Sequence, residues 1–310
     1  MTALICGSMA YDTIMVFQDR FKNHILPEQV HILNVSFLVP EMRREFGGCA
    51  GNIAYNLKLL GGKPIPLATV GKDFSPYGQW MGNYGICQDY IKVLEDSFTA
   101  QAYITTDMDD NQITAFHPGA MSFSQLIDIP TDQDVKVGMV SPDGKDGMEK
   151  HADQFVEAGI PFIFDPGQGM PMFNGEELLA FLDKATWVTL NDYEAQLMQD
   201  RTGLTLEQMA AKVEAVIVTR GGKGSTILVG SECHEIPLAK PKEVLDPTGC
   251  GDAYRAGLLY GLLEDLDWET TGKIASLMGA LKIESSGTQN HSCTMEGFRD
   301  RFQENFGYSF

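Results

Sequence analysis

Two hydrophobic periods alternate along most of this chain. Short apolar runs at Ala3–Cys6, Val135–Val140, Pro161–Phe164, Trp187–Leu190 and Val216–Val218 are too brief for helices and predict buried strands. Between the later ones lie Gly147–Ala158, Glu176–Lys184, Tyr193–Gln199 and Leu206–Val213, which predict helices. Strand alternating with helix predicts an α/β fold with a mostly parallel central sheet covered by helices on both faces. Ile227–Val229 and Glu232–Ile236 look like short antiparallel additions, and helices over Asp252–Leu263, Trp268–Glu284 and Glu296–Asn305 end the pattern.

Two regions break it. Thr13–Phe17 and Val30–Val39 are rich in β-branched and aromatic residues with no helical period between them. Ala100–Phe116 reads as a hairpin around the turn Asp107–Asn111. Together they predict a small β-sheet lid, about residues 13–46 and 98–118, inserted into one domain spanning 1–310. Its aromatics Phe17, Phe37, Tyr103 and Phe116 are expected mostly in the lid core, with one or two free to stack on a ligand ring. Between the two regions, Ile53, Leu57 and Leu60 share a helical face, so a helix runs from near Gly51 to Gly61. Gly47-Gly48 precedes it as a candidate hinge, and Asn52 projects from its first turn.

Charge narrows the partners. Forty-two acidic against 23 basic residues give a formal net charge of −19, with no dense Lys/Arg run. That balance opposes nucleic-acid binding, and any phosphate ligand must be held by local devices such as helix termini or Mg²⁺. The six cysteines show no C-x-x-C pair or zinc spacing and read as reduced thiols of a cytoplasmic protein. No signal-peptide pattern opens the sequence, and no run approaches the ~20 apolar residues of a membrane span. The six histidines are scattered without metal spacing, and His117, following a lid strand, is the one singled out, with a structural role expected.

The richest chemistry lies in Val244–Leu259, V-L-D-P-T-G-C-G-D-A-Y-R-A-G-L-L. Val244 and Leu245 resemble the end of a buried strand, Asp246–Gly249 a turn, and Cys250 onward a helix. A helix start carries unpaired N–H groups and about half a positive charge, so it holds anions without basic side chains. Gly249 and Gly251 let such an anion approach, and Asp252 in the first turn is placed to take a proton from an attacking hydroxyl. A capped helix with a dipole-matching Asp fits this stretch equally well. Three further motifs follow strands or sit near their ends. Asp12 lies beyond the first strand, where open α/β sheets bind ligands. Asn191 and Glu194, one helical turn apart, suit either water-mediated Mg²⁺ binding or a capping box. Thr219-Arg220-Gly221-Gly222-Lys223-Gly224 suits either a phosphate-facing loop or a tight hairpin turn. Asp165-Pro166-Gly167-Gln168-Gly169 also follows a strand, with no role read for it.

In this order the motifs resemble the ribokinase-like (PfkB) family of small-molecule kinases over nearly the whole chain. One signature is met by Gly47, Gly48, Asn52, Ala54, Gly61 and Gly71, the other by D-P-T-G-C-G-D-A-Y-R-A-G-L-L at 246–259, with Cys250 where the family usually has a small residue. The resemblance implies Asp252 as general base and Gly249, Cys250 and Gly251 as the anion hole. It implies Asn191 and Glu194 around Mg²⁺ and the phosphates, and Thr219, Arg220, Gly221 and Gly224 around ATP. Asp12, Gly48, Asn52 and Phe116 would hold the substrate. Within the family, I-C-G-S-M-A-Y-D, F-L-V-P-E-M-R-R-E-F-G-G-C-A-G-N, D-N-Q-I-T-A-F-H-P-G-A-M and F-D-P-G-Q-G are most similar to bacterial adenosine and broad-specificity nucleoside kinases. The expected activity is ATP- and Mg²⁺-dependent phosphorylation of a nucleoside 5′-hydroxyl. A ribose or fructose kinase and a non-catalytic nucleoside-binding protein are the alternatives. Monovalent-cation activation, and a monomer against a homodimer paired through the lid, are left open.

Overall fold

The computed structural model describes residues 2–25, 35–109 and 111–310. Residues 30–34 of the expected strand 30–39, His31, and Asp110 of the hairpin turn lie outside them.

A nine-stranded sheet forms the body. Its first half in the chain is β1 (Thr2–Cys6), then, after the lid strands β2 (Ala10–Val16) and β3 (Glu41–Gly47), β4 (Lys63–Gly71) and β5 (Ile91–Leu94). After the lid hairpin β6 (Ala100–Thr106) and β7 (Gln112–His117) come β8 (Val135–Val140), β9 (Phe162–Phe164), β10 (Trp187–Asn191), β11 (Ala215–Thr219), β12 (Ser225–Val229) and β13 (Glu232–Ile236). The body order is β13-β12-β11-β10-β9-β8-β1-β4-β5, parallel except where β12 and β13 add antiparallel at one edge. The separate lid sheet has the order β3-β2-β6-β7.

Side-chain alternation explains why the body strands read as continuous apolar runs. Ala3 and Ile5 of β1 enter one core while Leu4 and Cys6 enter the other, and Ala215 and Ile217 separate from Val216 and Val218 in the same way. The first core is closed by α1 (Cys49–Leu59), α2 (Ser75–Asn83) and three helices near the C-terminus, numbered α7 (Cys250–Leu263), α8 (Trp268–Ile283) and α9 (Met295–Phe306). The second is closed by α3 (Lys145–Ala158), α4 (Gly175–Lys184), α5 (Asp192–Thr202) and α6 (Leu206–Ala210). Among the described residues no helix is long and apolar enough to cross a membrane.

Several expectations are corrected. The strand expected at 30–39 begins later, at Glu41, and residues 35–39 form no strand. β4 pairs with β1 one strand in from the β5 edge, yet its sequence K-P-I-P-L-A-T-V-G does not announce a strand. Its partner β5 pairs only with Ala68–Gly71, so Pro64 and Pro66 fall on a stretch whose far side has no strand, where a missing N–H is tolerated. Of the lid aromatics, Phe17 packs on Phe21 and Phe37, while Tyr103 of β6 and Phe116 of the edge strand β7 are the two left outside the lid core.

Helix α7, which carries the candidate base, lies against α8 at backbone distance. A methyl placed on Gly257 would meet the Ala275 Cα at 2.4 Å and its N at 2.7 Å. Gly257→Ala should therefore destabilise by about 1–3 kcal/mol, because overpacking against main chain exceeds the ~1 kcal/mol gain in helix propensity. A urea midpoint that stays level or rises would show that the helices are free to separate.

Candidate active site

The sheet reverses its winding between β1 and β8. From β1 the chain proceeds outward to β4 on one side and from β8 to β9, β10 and β11 on the other. A crevice outside the carboxyl ends at such a point is where open α/β sheets hold ligands. Ser8 follows β1, Asp165 follows β9, and Asn191 and Thr219 end β10 and β11, so the motifs converge on one rim.

At its centre is the start of α7. Gly249 is the N-cap residue with φ 80° and ψ 0°, a left-handed conformation that glycine adopts without strain. The Cys250 N–H donates to the Pro247 carbonyl at 3.1 Å. The amides of Gly249, Gly251 and Asp252 have no hydrogen-bond partner among the described residues. They remain for a ligand. The two residues that lead into this turn are not a buried strand, since Val244 and Leu245 are 68% and 54% exposed in an irregular segment.

Asp252 sits in the first turn of α7, and Asn52 of α1 donates to its Oδ2 at 2.7 Å. Asn52 is itself fixed, because its Oδ1 accepts from Gln289 Nε2 at 2.9 Å and Gln289 Oε1 accepts from Trp80 Nε1 at 3.0 Å. Burial raises the Asp252 pKa to about 6, against the lowering by Asn52 and by the Arg255 charge, while Asp165 adds to the rise. Burial, with the Asp252 and Asp165 charges nearby, keeps the neighbouring Cys49 thiol protonated.

One turn further along α7, Arg255 makes a two-pronged ion pair with Asp165, Nε to Oδ2 and Nη2 to Oδ1, both at 2.9 Å. Arg255 Nη2 also lies 4.0 Å from Glu194 Oε2. Sequence reading passed over Arg255 and left Asp165 without a role. The available signal was one arginine in an otherwise apolar helix, three residues after the acidic one. Asn191 and Glu194 form both arms of a capping box at the start of α5. Burial and the Asp165 charge push the Glu194 carboxyl upward. Capping and ligand binding are thus not exclusive here, because each carboxylate oxygen keeps a lone pair beyond the box.

The lid supplies Asp12. Cross-strand register sets Glu45, Asp12, Ala102 and Phe116 in one row, so Asp12 and Phe116 share a face of the lid sheet. Tyr103, in the row of Thr13 and Arg44, is on the other face and its hydroxyl is engaged with Gln101. Burial, with Glu45 and Asp246 nearby, raises the Asp12 pKa to about 6. Among the described residues nothing hydrogen-bonds its side chain. The Gly47-Gly48 pair joins β3 to α1 under tight contact: a Cβ on Gly47 would lie 2.6 Å from Asp12 Oδ2, and one on Gly48 2.6 Å from the Ala10 amide and the Ser8 carbonyl.

The turn after β11 is the tight hairpin connection to β12. Thr219 pairs in register with Asn191 and so borders the crevice. Gly221 is open on all sides, whereas a Cβ on Gly224 would meet the Ile236 carbonyl at 2.2 Å, which explains that glycine by packing alone. Arg220 makes an exposed ion pair with Glu235 on the neighbouring hairpin.

The comparisons agree with this arrangement. The model of the pfkB family carbohydrate kinases matches residues 9–295. A nucleoside kinase of Methanocaldococcus jannaschii is 31% identical over 273 residues, covering 87% of this chain and 90% of that one. The Burkholderia thailandensis nucleoside kinase in complex with inosine superposes with a TM-score of 0.90 at 50% identity, covering 99% of both chains. The same enzyme in complex with ADP-inosine gives 0.87 at 51% identity, covering 99% of this chain and 97% of that one. Two glycine-bearing signatures on one crevice, a free helix start beside a desolvated aspartate, and a family match across nearly the whole length place this chain in the pfkB family of carbohydrate kinases.

Proposed function

We propose that this protein phosphorylates the 5′-hydroxyl of nucleosides with ATP. The observation that carries the chemistry is Asp252, a carboxylate with its pKa lifted to about 6 next to free amides at the start of α7. A base poised near neutrality takes a proton efficiently, and unpaired amides stabilise charge that grows on a transferred phosphoryl group. The substrate class rests on the relatives. The enzyme from B. thailandensis is known with inosine and with ADP-inosine, and it shares half its residues with this chain.

In this reading the ribose lies between Asp12 on the lid and Asn52 on α1, and its base reaches the Phe116 side of the lid. The 5′-oxygen attacks the γ-phosphorus as its proton passes to Asp252. The bond from that phosphorus to the β–γ bridging oxygen breaks, and ADP departs. Gly249 and Gly251 amides donate to the phosphoryl oxygens, and Thr219 and Gly221 border the nucleotide. Among the described residues no three His, Cys, Asp or Glu side chains gather into a metal cage. Glu194 and Asn191 are the oxygen donors that would hold Mg²⁺ through water, which suits an ion that keeps much of its hydration. Bound there, Mg²⁺ would neutralise phosphate charge. Arg255 keeps Asp165 and Glu194 at fixed distances from the base.

The substrate reading is tested by ADP release with inosine, adenosine, cytidine and ribose side by side. Nucleosides should exceed ribose in kcat/KM, and equal or better turnover of ribose would overturn it. Asp252→Asn should lower kcat by about 10²–10⁴-fold while calorimetric nucleoside binding stays within a few-fold. Since Asp252 must be ionised to act, kcat/KM should fall about tenfold per pH unit below about 6, and a level acid limb would remove it as the base. Asp12→Ala should raise the nucleoside KM by roughly 10-fold or more, from the loss of a hydrogen bond to a charged acceptor. An unchanged KM would place the ribose elsewhere.

A further inference from the structure

Lys282 of α8 is completely buried, yet its ammonium meets no carboxylate in an ion pair among the described residues. It donates instead to two main-chain carbonyls, Asp246 O at 2.8 Å and Ser285 O at 3.0 Å. Those two belong to the segments that shape the cradle. Asp246 opens the turn into α7, and its carboxylate accepts from the Thr248 amide at 2.9 Å and the Gly287 amide at 2.8 Å. The 285–288 loop lies against the cradle, since a Cβ on Gly249 would stand 3.1 Å from the Thr288 methyl. The Leu245 and Asp246 amides close the same knot by donating to the Ile283 carbonyl.

A buried cation ringed by carbonyl oxygens is how a protein holds a desolvated monovalent ion. We infer that Lys282 is a built-in monovalent cation, a positioning residue whose ammonium fixes the Asp246–Gly249 turn and leaves no vacancy or charge demand for potassium or sodium beside the cradle. The oxygens that such an ion would need are already spent on Nζ. Two neighbours fit a charged Lys282. Burial pulls its pKa downward, but Asp246 and the Cys250 thiol act in the opposite direction. His291, held at about 4 by burial, is pushed further the same way by the Lys282 charge, so it stays neutral.

The inference rests on the proposed role of the α7 start, and its test separates the two. Wild-type kcat, measured with Mg·ATP and inosine at constant ionic strength, should agree within about twofold in potassium, sodium, caesium and tetramethylammonium chlorides. Lys282→Ala opens a space of ion size. In tetramethylammonium it should lose roughly tenfold or more in kcat, about the worth of one charge-assisted hydrogen bond, and recover part of it in ammonium or potassium. Lys282→Met fills that space with apolar atoms and should not recover. Ligand-free melting gives a readout independent of catalysis: ammonium or potassium should raise the midpoint of Lys282→Ala and leave the wild type unmoved. Severalfold activation of the wild type by potassium would overturn the inference, even if neither variant folds. So would a Lys282→Ala protein that matches wild type in tetramethylammonium, or one impaired alike in every salt. A cation-responsive melting midpoint without any kinase activity would instead sink the kinase reading and keep the cation one.

Discussion

The structure depends on one hydrogen bond that spans the chain: Asn52 Nδ2 to Asp252 Oδ2, at 2.7 Å, between residues 200 positions apart. An ionised carboxylate taken out of water is costly unless donors meet it. Here the donors are few, so the pKa rises to about 6 instead of falling. Asn52 is oriented by Gln289, which is oriented by Trp80 and also donates to Tyr77, whose hydroxyl donates to the Gly47 carbonyl. The residues that position the base therefore also pin the lid's junction with the body. Lid placement and base placement are mechanically one matter.

Beneath the base lies a second constraint of opposite kind. The Arg255–Asp165 pair is almost fully buried and bidentate, the geometry in which Coulomb attraction best repays desolvation. Such pairs are poor sources of net stability. Their value is positional, because α7, the β9 rim and the Glu194 cap meet at one guanidinium. Lys282 performs a related service at the turn that leads into α7, through carbonyls in place of carboxylates. The cradle is thus held between two buried cations in a protein whose overall charge is −19.

What was legible in the sequence was what local pattern determines. The doubly covered sheet followed from brief apolar runs between helical periods, and the α7 start from D-P-T-G-C-G-D. Features set by partners far along the chain were not legible. The strand β4, next to the β5 edge, is disguised by Pro64 and Pro66, whose acceptability depends on where β5 begins. Exposure of Phe116 and Tyr103 depends on no element covering β7. The glycine-rich loop around Arg220 points it at phosphate, while its ion pair with Glu235 on the adjacent hairpin has no local signal. Arg255 and Lys282 carry no local signal because Asp165 and the Asp246 carbonyl, which they hold, lie 90 and 36 residues away. The Asn191–Glu194 motif was ambiguous for a different reason: one geometry satisfies both readings.

Function and stability pull against each other at this crevice, and the sign can be worked out. Asp12 and Asp252 have folded-state values of about 6 against an ordinary 3.8. Between those limits the folded protein binds more protons than the unfolded chain, so their contribution to stability grows as pH falls and is lost as pH rises through about 6. Catalysis needs the reverse, because only the ionised Asp252 can take a proton. At neutral pH the empty crevice therefore holds carboxylates that its surroundings disfavour. Ribose hydroxyls donating to Asp12 would relieve one of them, and arrival of the substrate proton would relieve the other at the moment of transfer. The strain is local to the two groups proposed to meet substrate, while the buried cations around them keep the framework in place.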